Sequence, residues 1–91
     1  MKKMHINPGH RMSLQYHKIK EETIFVVDGD LLIWEHSDED QPTLVAPGGV
    51  YHVVPNQVHR FGAPKYSTVT LIECSTTELD DVVRLEDDYS R

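Results

Sequence analysis

Four polar side chains in this sequence are spaced so that they can meet around one cation. Gln15 and His17 stand two residues apart, which on a β-strand puts both on the same face. Glu22 comes five residues later, where an apolar run begins. It returns to the same place if the strand it opens pairs with the first. His59 lies on a later strand, just past a Pro55-Asn56-Gln57 turn. Two imidazoles, a carboxylate and an amide oxygen suit a borderline divalent ion, with zinc first and manganese, iron, cobalt or nickel as alternatives. Glu22 is the one charged donor of the four, so a bound ion would stay net positive and keep its Lewis acidity. Four protein ligands also leave positions for water or substrate. The remaining histidines, His5, His10, His36 and His52, read as solvent-facing.

These side chains need strands to hold them, and strands are what the chain offers. Residues 23–27 and 31–34 are rich in β-branched and aromatic types around Asp28-Gly29-Asp30, a pattern that predicts a β-hairpin. Further strands are predicted over 43–46, 50–54, 58–61 and 68–73. They are separated by a polar loop at 37–42, a Pro47-Gly48-Gly49 turn and a Gly62-Ala63-Pro64-Lys65 loop. Short strands at this spacing indicate an all-β sandwich or barrel. The charged stretch 76–91 reads as an arm, extended or briefly helical, with Val82, Val83, Leu85 and Tyr89 able to pack onto the body. Trp34 reads as sheet packing or an interface residue.

The chain has 91 residues and 38% hydrophobic content. That is enough for one small domain, at a size where a metal or a partner subunit adds useful stability. Exposed edge strands give a route to a homodimer. The net charge of −6 argues against nucleic acid, which needs a basic footprint. An anionic ligand would have to rely on a local cluster of Arg and Lys. No apolar run approaches the roughly 20 residues of a membrane helix, and Met1-Lys2-Lys3-Met4-His5 is not followed by the apolar stretch of a secretory signal. With a single cysteine, Cys74, no internal disulfide can form. The expectation is a cytoplasmic protein with Cys74 a small buried hydrophobe.

Two segments resemble the paired motifs of the cupin superfamily. Gly9, Gln15, His17, Glu22 and Gly29 match the first, with Gln15 where many cupins have His. Gly48, Val54, Pro55, Asn56 and His59 match the second, with Val54 for the usual Pro, Asn56 for the usual Gly and Ala63 where an Asn is common. The stretch Pro8-Gly9-His10-Arg11-Met12-Ser13-Leu14-Gln15-Tyr16-His17 is similar to the cupin domain of type II mannose-6-phosphate isomerases. So are Val58-His59-Arg60-Phe61, Thr70-Leu71-Ile72-Glu73-Cys74 and the ending from Asp81 to Arg91.

The resemblance covers nearly the whole chain. It implies a double-stranded β-helix, the cupin jelly-roll barrel, as one domain over 1–91 with a C-terminal arm over 76–91. It implies metal ligation by Gln15, His17, Glu22 and His59, and sugar-phosphate handling by Arg84 and Arg91. The nucleotidyltransferase domain often fused to such cupins, with its Gly-rich phosphate loop, is not in this sequence, so guanylyltransferase activity is not expected of it. Lys20, Thr23 and Ile24 stand where the family usually carries Arg, His and Trp.

The leading expectation is metal-dependent aldose–ketose isomerisation of a sugar or sugar phosphate. Lys20 and Arg84 are the catalytic candidates, and Arg60 and Arg91 the substrate-binding ones. Strand parity nonetheless directs Arg60 away from His59. The alternative is a metal- or carbohydrate-binding module without turnover, which the changes at Thr23 and Ile24 favour. Oxygen chemistry at iron is a third reading, against which Gln15 weighs. For Arg84 and Arg91, surface pairing with Glu86, Asp87 and Asp88 is the competing explanation.

Overall fold

A computed structural model describes residues 1–35, 41–76 and 82–86. They form nine strands and no helix: β1 (Lys2–Ile6), β2 (Leu14–Tyr16), β3 (Glu22–Asp28), β4 (Leu31–Trp34), β5 (Thr43–Val45), β6 (Val50–Val53), β7 (Arg60–Gly62), β8 (Val69–Ser75) and β9 (Val83–Glu86). All pairings are antiparallel. The strands order as β1-β8-β3-β6, as β5-β4-β7, and as the pair β2-β9.

Period-two alternation decides which face each strand buries. On β3, Glu22, Ile24 and Val26 are buried while Phe25 and Val27 face out. On β4 it is Leu31 and Ile33, and on β8 Val69 and Leu71. These six aliphatic side chains are fully shielded and form the centre of the core. Each contributes about 1.5–3 kcal/mol by leaving water.

The hairpin expected around Asp28-Gly29-Asp30 does not form. β3 pairs with β8 and β6, whereas β4 pairs with β5 and β7. The chain uses this turn to pass from one sheet to the other. Gly29 sits at φ 77°, and a Cβ there would run into the Thr68 carbonyl oxygen. A register shift between Val26 and Asp28 bends the strand into the corner. The Asp-Gly signal is thus real for a turn but not for which strand follows as partner.

Two further elements differ from the sequence reading. β1 lies in a segment read only as a basic terminus, because its alternation is mostly exposed. It pairs with β8 from Lys2↔Glu73 to Ile6↔Val69. The described part of the arm is extended. β9 pairs with β2, placing Arg84 opposite Gln15. Cys74, expected inside, is exposed, because on β8 it shares phase with Thr70 and Ile72 rather than with Leu71.

Gly29→Ala should cost more than about 1 kcal/mol of unfolding free energy, since it combines a left-handed φ with a backbone clash. A denaturant melt with an unchanged midpoint would contradict that account of the corner.

Candidate metal centre

Backbone pairing brings the two motif segments face to face. Gln15 and His59 form an antiparallel bridge. The Gln15 N–H donates to the His59 carbonyl at 3.0 Å, and the His59 N–H donates to the Gln15 carbonyl at 2.9 Å. Directly opposed residues project to the same side, and His17, two residues on, joins them. The His17 and His59 rings lie 5.2 Å apart between centroids. The turn preceding His59 is held to this edge by the Asn56 N–H, which donates to the His17 carbonyl at 2.6 Å. Asn56 has φ 67°, the left-handed region that Asn tolerates best after Gly. This explains how it can occupy a position where cupins usually have Gly.

Glu22 reaches the site by another route than expected. β3 does not pair with β2. It enters from the four-stranded sheet, its first residue aimed inward beside β2. The Glu22 Oε1 lies 2.6 Å from His17 Nε2. His17, Glu22 and His59 are 1–2% exposed, and one ligand atom from each lies within 4.8 Å of the others.

The surroundings fix the donor atoms. His59 Nδ1 faces the Gln57 carbonyl at 3.0 Å, which places the proton on Nδ1 and turns the Nε2 lone pair inward. Gln57 is itself braced, its amide donating to Tyr51 Oη at 2.7 Å and accepting from the Val54 N–H at 3.2 Å. The Ser13 hydroxyl donates to Gln15 Oε1 at 2.6 Å, orienting that amide. Burial lowers the His59 pKa below 6.5, reinforced by the charges of His17 and Lys20 and opposed by the Gln57 carbonyl and Glu22.

Two buried polar atoms, His59 Nε2 and Glu22 Oε2, have no hydrogen-bond partner among the described residues. Leaving such atoms unsatisfied costs about 1–3 kcal/mol each. A divalent cation would satisfy both at once, so His17, Glu22 and His59 fit a divalent metal, and Gln15 lines the cavity beside them.

Beside this cluster opens a cavity of about 170 Å³, lined by Gln15, His17, Lys20 and Glu22 together with Lys2, Met4, Met12, Ser13, Glu73, Val82 and Arg84. Of the other candidates, Lys20 is 8% exposed, with Nζ 3.3 Å from Glu22 Oε1. Arg84 is exposed at the rim. Arg60 is not among the lining residues. It is wholly buried, and its Nε donates to the Met12 carbonyl at 2.7 Å, so it cannot meet a solute here and instead ties β7 to the segment before β2. Arg91 lies outside the described residues, as do His36, Asp87, Asp88 and Tyr89.

Thr23 and Ile24 do not line the cavity either. Thr23 faces outward, its Oγ1 2.9 Å from His52 Nδ1, and Ile24 is in the core. His5, His10 and His52 are exposed. Trp34 packs over Gly62, where a Cβ would come within 2.8 Å of its ring, and under the Arg11 guanidinium at 5.6 Å.

Glu73 is the residue that sequence reasoning missed. It occupies the inward phase of β8 after Val69 and Leu71, so the usable signal was a carboxylate on the apolar face of a strand. Burial and the neighbouring Glu22 charge hold its carboxyl above the usual range, with Lys20 and Lys2 opposing.

The model of the cupin domain family matches residues 2–74. The chain belongs to the cupin family. No curated protein matched the sequence. Among solved structures, this cupin is similar to a cupin-like protein from Thermotoga maritima (TM-score 0.79, 21% identity, 93% of this chain and 62% of that one). It is also similar to an uncharacterised conserved protein with a double-stranded β-helix domain from Klebsiella pneumoniae (TM-score 0.80, 16% identity, 93% and 68%). A third is a sugar phosphate isomerase of the cupin superfamily from Silicibacter pomeroyi (TM-score 0.70, 21% identity, 81% and 47%). The chain therefore spans about half to two thirds of the length of these proteins. The shared feature is the double-stranded β-helix, as expected. No helix among the described residues is long and apolar enough to cross a membrane.

His59→Ala and Gln15→Ala should each reduce zinc content, read by elemental analysis after dialysis against a zinc buffer. Because the folded-state His59 pKa lies below 6.5, its neutral form persists into mildly acid solution. Zinc affinity should hold from pH 8 to about 6.5 and fall as pH drops through the depressed value. For Glu73 the sign is opposite. A carboxyl raised in the fold favours folding below its unfolded value and loses that contribution as pH rises through the folded one. Glu73→Gln should therefore raise the melting temperature at pH 8, with a gain that vanishes near pH 4.

Proposed function

We propose that this cupin is a metal-dependent aldose–ketose isomerase acting on a sugar or sugar phosphate. Mannose-6-phosphate to fructose-6-phosphate is the reaction its sequence resemblance implies. The observation that carries this reading is the joint lining of one cavity. Two of the three cluster residues (His17 and Glu22), a lysine outside the cluster (Lys20), a second carboxyl (Glu73) and an arginine at the rim (Arg84) all line the same cavity of about 170 Å³. That volume is below the roughly 300–1,000 Å³ of drug-sized sites and suits a small polar solute.

The reaction removes the proton from C2 of the aldose and returns one to C1, while the C2 hydroxyl proton passes to the C1 oxygen through a cis-enediol. A divalent ion, when bound, would supply Lewis acidity. Gln15, His17, Glu22 and His59 would hold it, with the orientation of His59 set by Gln57 and that of Gln15 by Ser13. In this reading Lys20, which lines the cavity, holds or returns a proton at a substrate oxygen. Arg84, projecting from β9 opposite Gln15, offers a bidentate fork to an anionic group at the mouth, aided by Lys2. Met4, Met12 and Val82 line the cavity as well, adding apolar surface that limits water. The Silicibacter pomeroyi neighbour, a sugar phosphate isomerase by name, agrees with this substrate class.

A second reading, carbohydrate binding without turnover, is favoured by the Lys20 contact with Glu22 at 3.3 Å, which engages the ammonium that catalysis would use. One experiment separates the two. The protein is loaded with zinc, manganese, iron, cobalt or nickel in turn, and exchange of the C2 proton of mannose-6-phosphate into solvent is followed by NMR. The isomerase reading expects exchange with at least one metal, and at least a hundredfold loss in Lys20→Met. Sugar phosphate binding with no exchange under any metal would refute it in favour of the binding module.

A further inference from the structure

The cavity holds a second carboxylate that the ligand cluster leaves out. Glu73 touches Glu22 but is not among the groups whose ligand atoms lie within 4.8 Å of one another. Lys20 lines the same cavity as both. Its Nζ is 3.3 Å from Glu22 Oε1, and its charge acts on the Glu73 carboxyl.

Glu22 Oε1 is a crowded atom. His17 Nε2 approaches it at 2.6 Å and the Lys20 ammonium at 3.3 Å. A divalent ion on Glu22 would put a dication and an ammonium on one carboxylate inside a poorly solvated pocket, where like charges repel strongly. Lys20 must then give up Glu22. At 8% exposure it has no short way to bulk water, and its flexible four-carbon stem lets the ammonium swing over a short arc. Glu73 lines the same cavity as Lys20, and the Lys20 charge acts on its carboxyl. Lys2 opposes Glu73 across the β1–β8 ladder, but it is exposed and its charge is screened, so it does not replace a buried counter-ion.

We infer that Glu73 is the second seat of the Lys20 ammonium, taking over its ion pair when a divalent ion claims Glu22. Glu73 is then a positioning residue. It keeps Lys20 in the cavity, beside the bound ion and facing the solute, rather than letting it turn out to solvent. This rests on the reading of the cluster as a metal centre and adds to it a role for the one inward carboxylate that ligation does not use.

The test is a double-mutant cycle on zinc affinity at one pH, measured by competition with a chromophoric chelator. Wild type, Glu73→Gln, Lys20→Met and the double variant are compared. Groups acting through each other are non-additive, so Glu73→Gln should weaken zinc about tenfold in the wild-type background and less than about twofold when Lys20 is already Met. A tenfold loss that persists in the Lys20→Met background would make Glu73 a plain negative charge or a direct ligand, and would overturn the inference while leaving the metal centre intact. Wild-type protein that takes up no zinc would overturn both. A measurement that needs no variant to fold is the Lys20 ammonium resonance in 15N-labelled wild type. It should stay visible and protected on adding zinc, and its loss to fast solvent exchange would count against the second seat.

Discussion

The pair of hydrogen bonds between Gln15 and His59 is the constraint on which the site depends. It joins two segments 44 residues apart in sequence, and without it neither imidazole has a defined position relative to the other. Everything else in the centre is hung from that bridge. Asn56 closes the turn against the His17 carbonyl, Gln57 fixes the His59 tautomer, and β9 extends the ladder by placing Arg84 opposite Gln15. Glu22 alone arrives from the other side, carried by a strand of the four-stranded sheet. The meeting of His17, Glu22 and His59 therefore reports that the sheets have closed on one another.

Closing them creates an electrostatic difficulty that the cavity handles locally. Two carboxyls, Glu22 and Glu73, are brought together where water is scarce, and the Glu73 pKa rises as a result. Lys20 is the compensating charge, and it belongs to the loop before β3 rather than to any strand. A charge on a loop can move without disturbing the ladder, whereas the ligands on and beside strands cannot. The arrangement separates a rigid set of donors from one adjustable cation, a division suited to a site that exchanges an ion or a solute.

Much of this was legible in the sequence. The four donors stood out because their types and parity agree, and His59 kept its place although Val54 and Asn56 depart from the usual motif. Alternation gave most strands. What sequence could not supply was partnership. Asp28-Gly29-Asp30 is a turn in any reading, yet whether β4 folds back on β3 or crosses to β5 and β7 depends on the Gly29 backbone packing against Thr68. Arg60 was a substrate-binding candidate although parity directs it away from His59, and it is buried against the Met12 carbonyl. Cys74 and Glu73 were hidden for one reason. A one-residue change of phase exchanges inside and outside, and the register of β8 is set by β1 and β3 together, not by its own composition.

The pairing of β1 with β8 has a consequence for how the molecule is made. Lys2 meets Glu73 and Ile6 meets Val69, so β1 has no partner in its sheet until some seventy residues have followed it. The bridge between Gln15 and His59 closes a shorter loop and can form earlier in synthesis. Loop-closure entropy must be met before such distant contacts give anything back. During that interval β1 and β3 lack the strand that lies between them, β8, whose inner phase carries Val69 and Leu71. The four-stranded sheet is completed only when β8 has been made, and the edges of β1 and β3 that β8 covers stay open to aggregation until then.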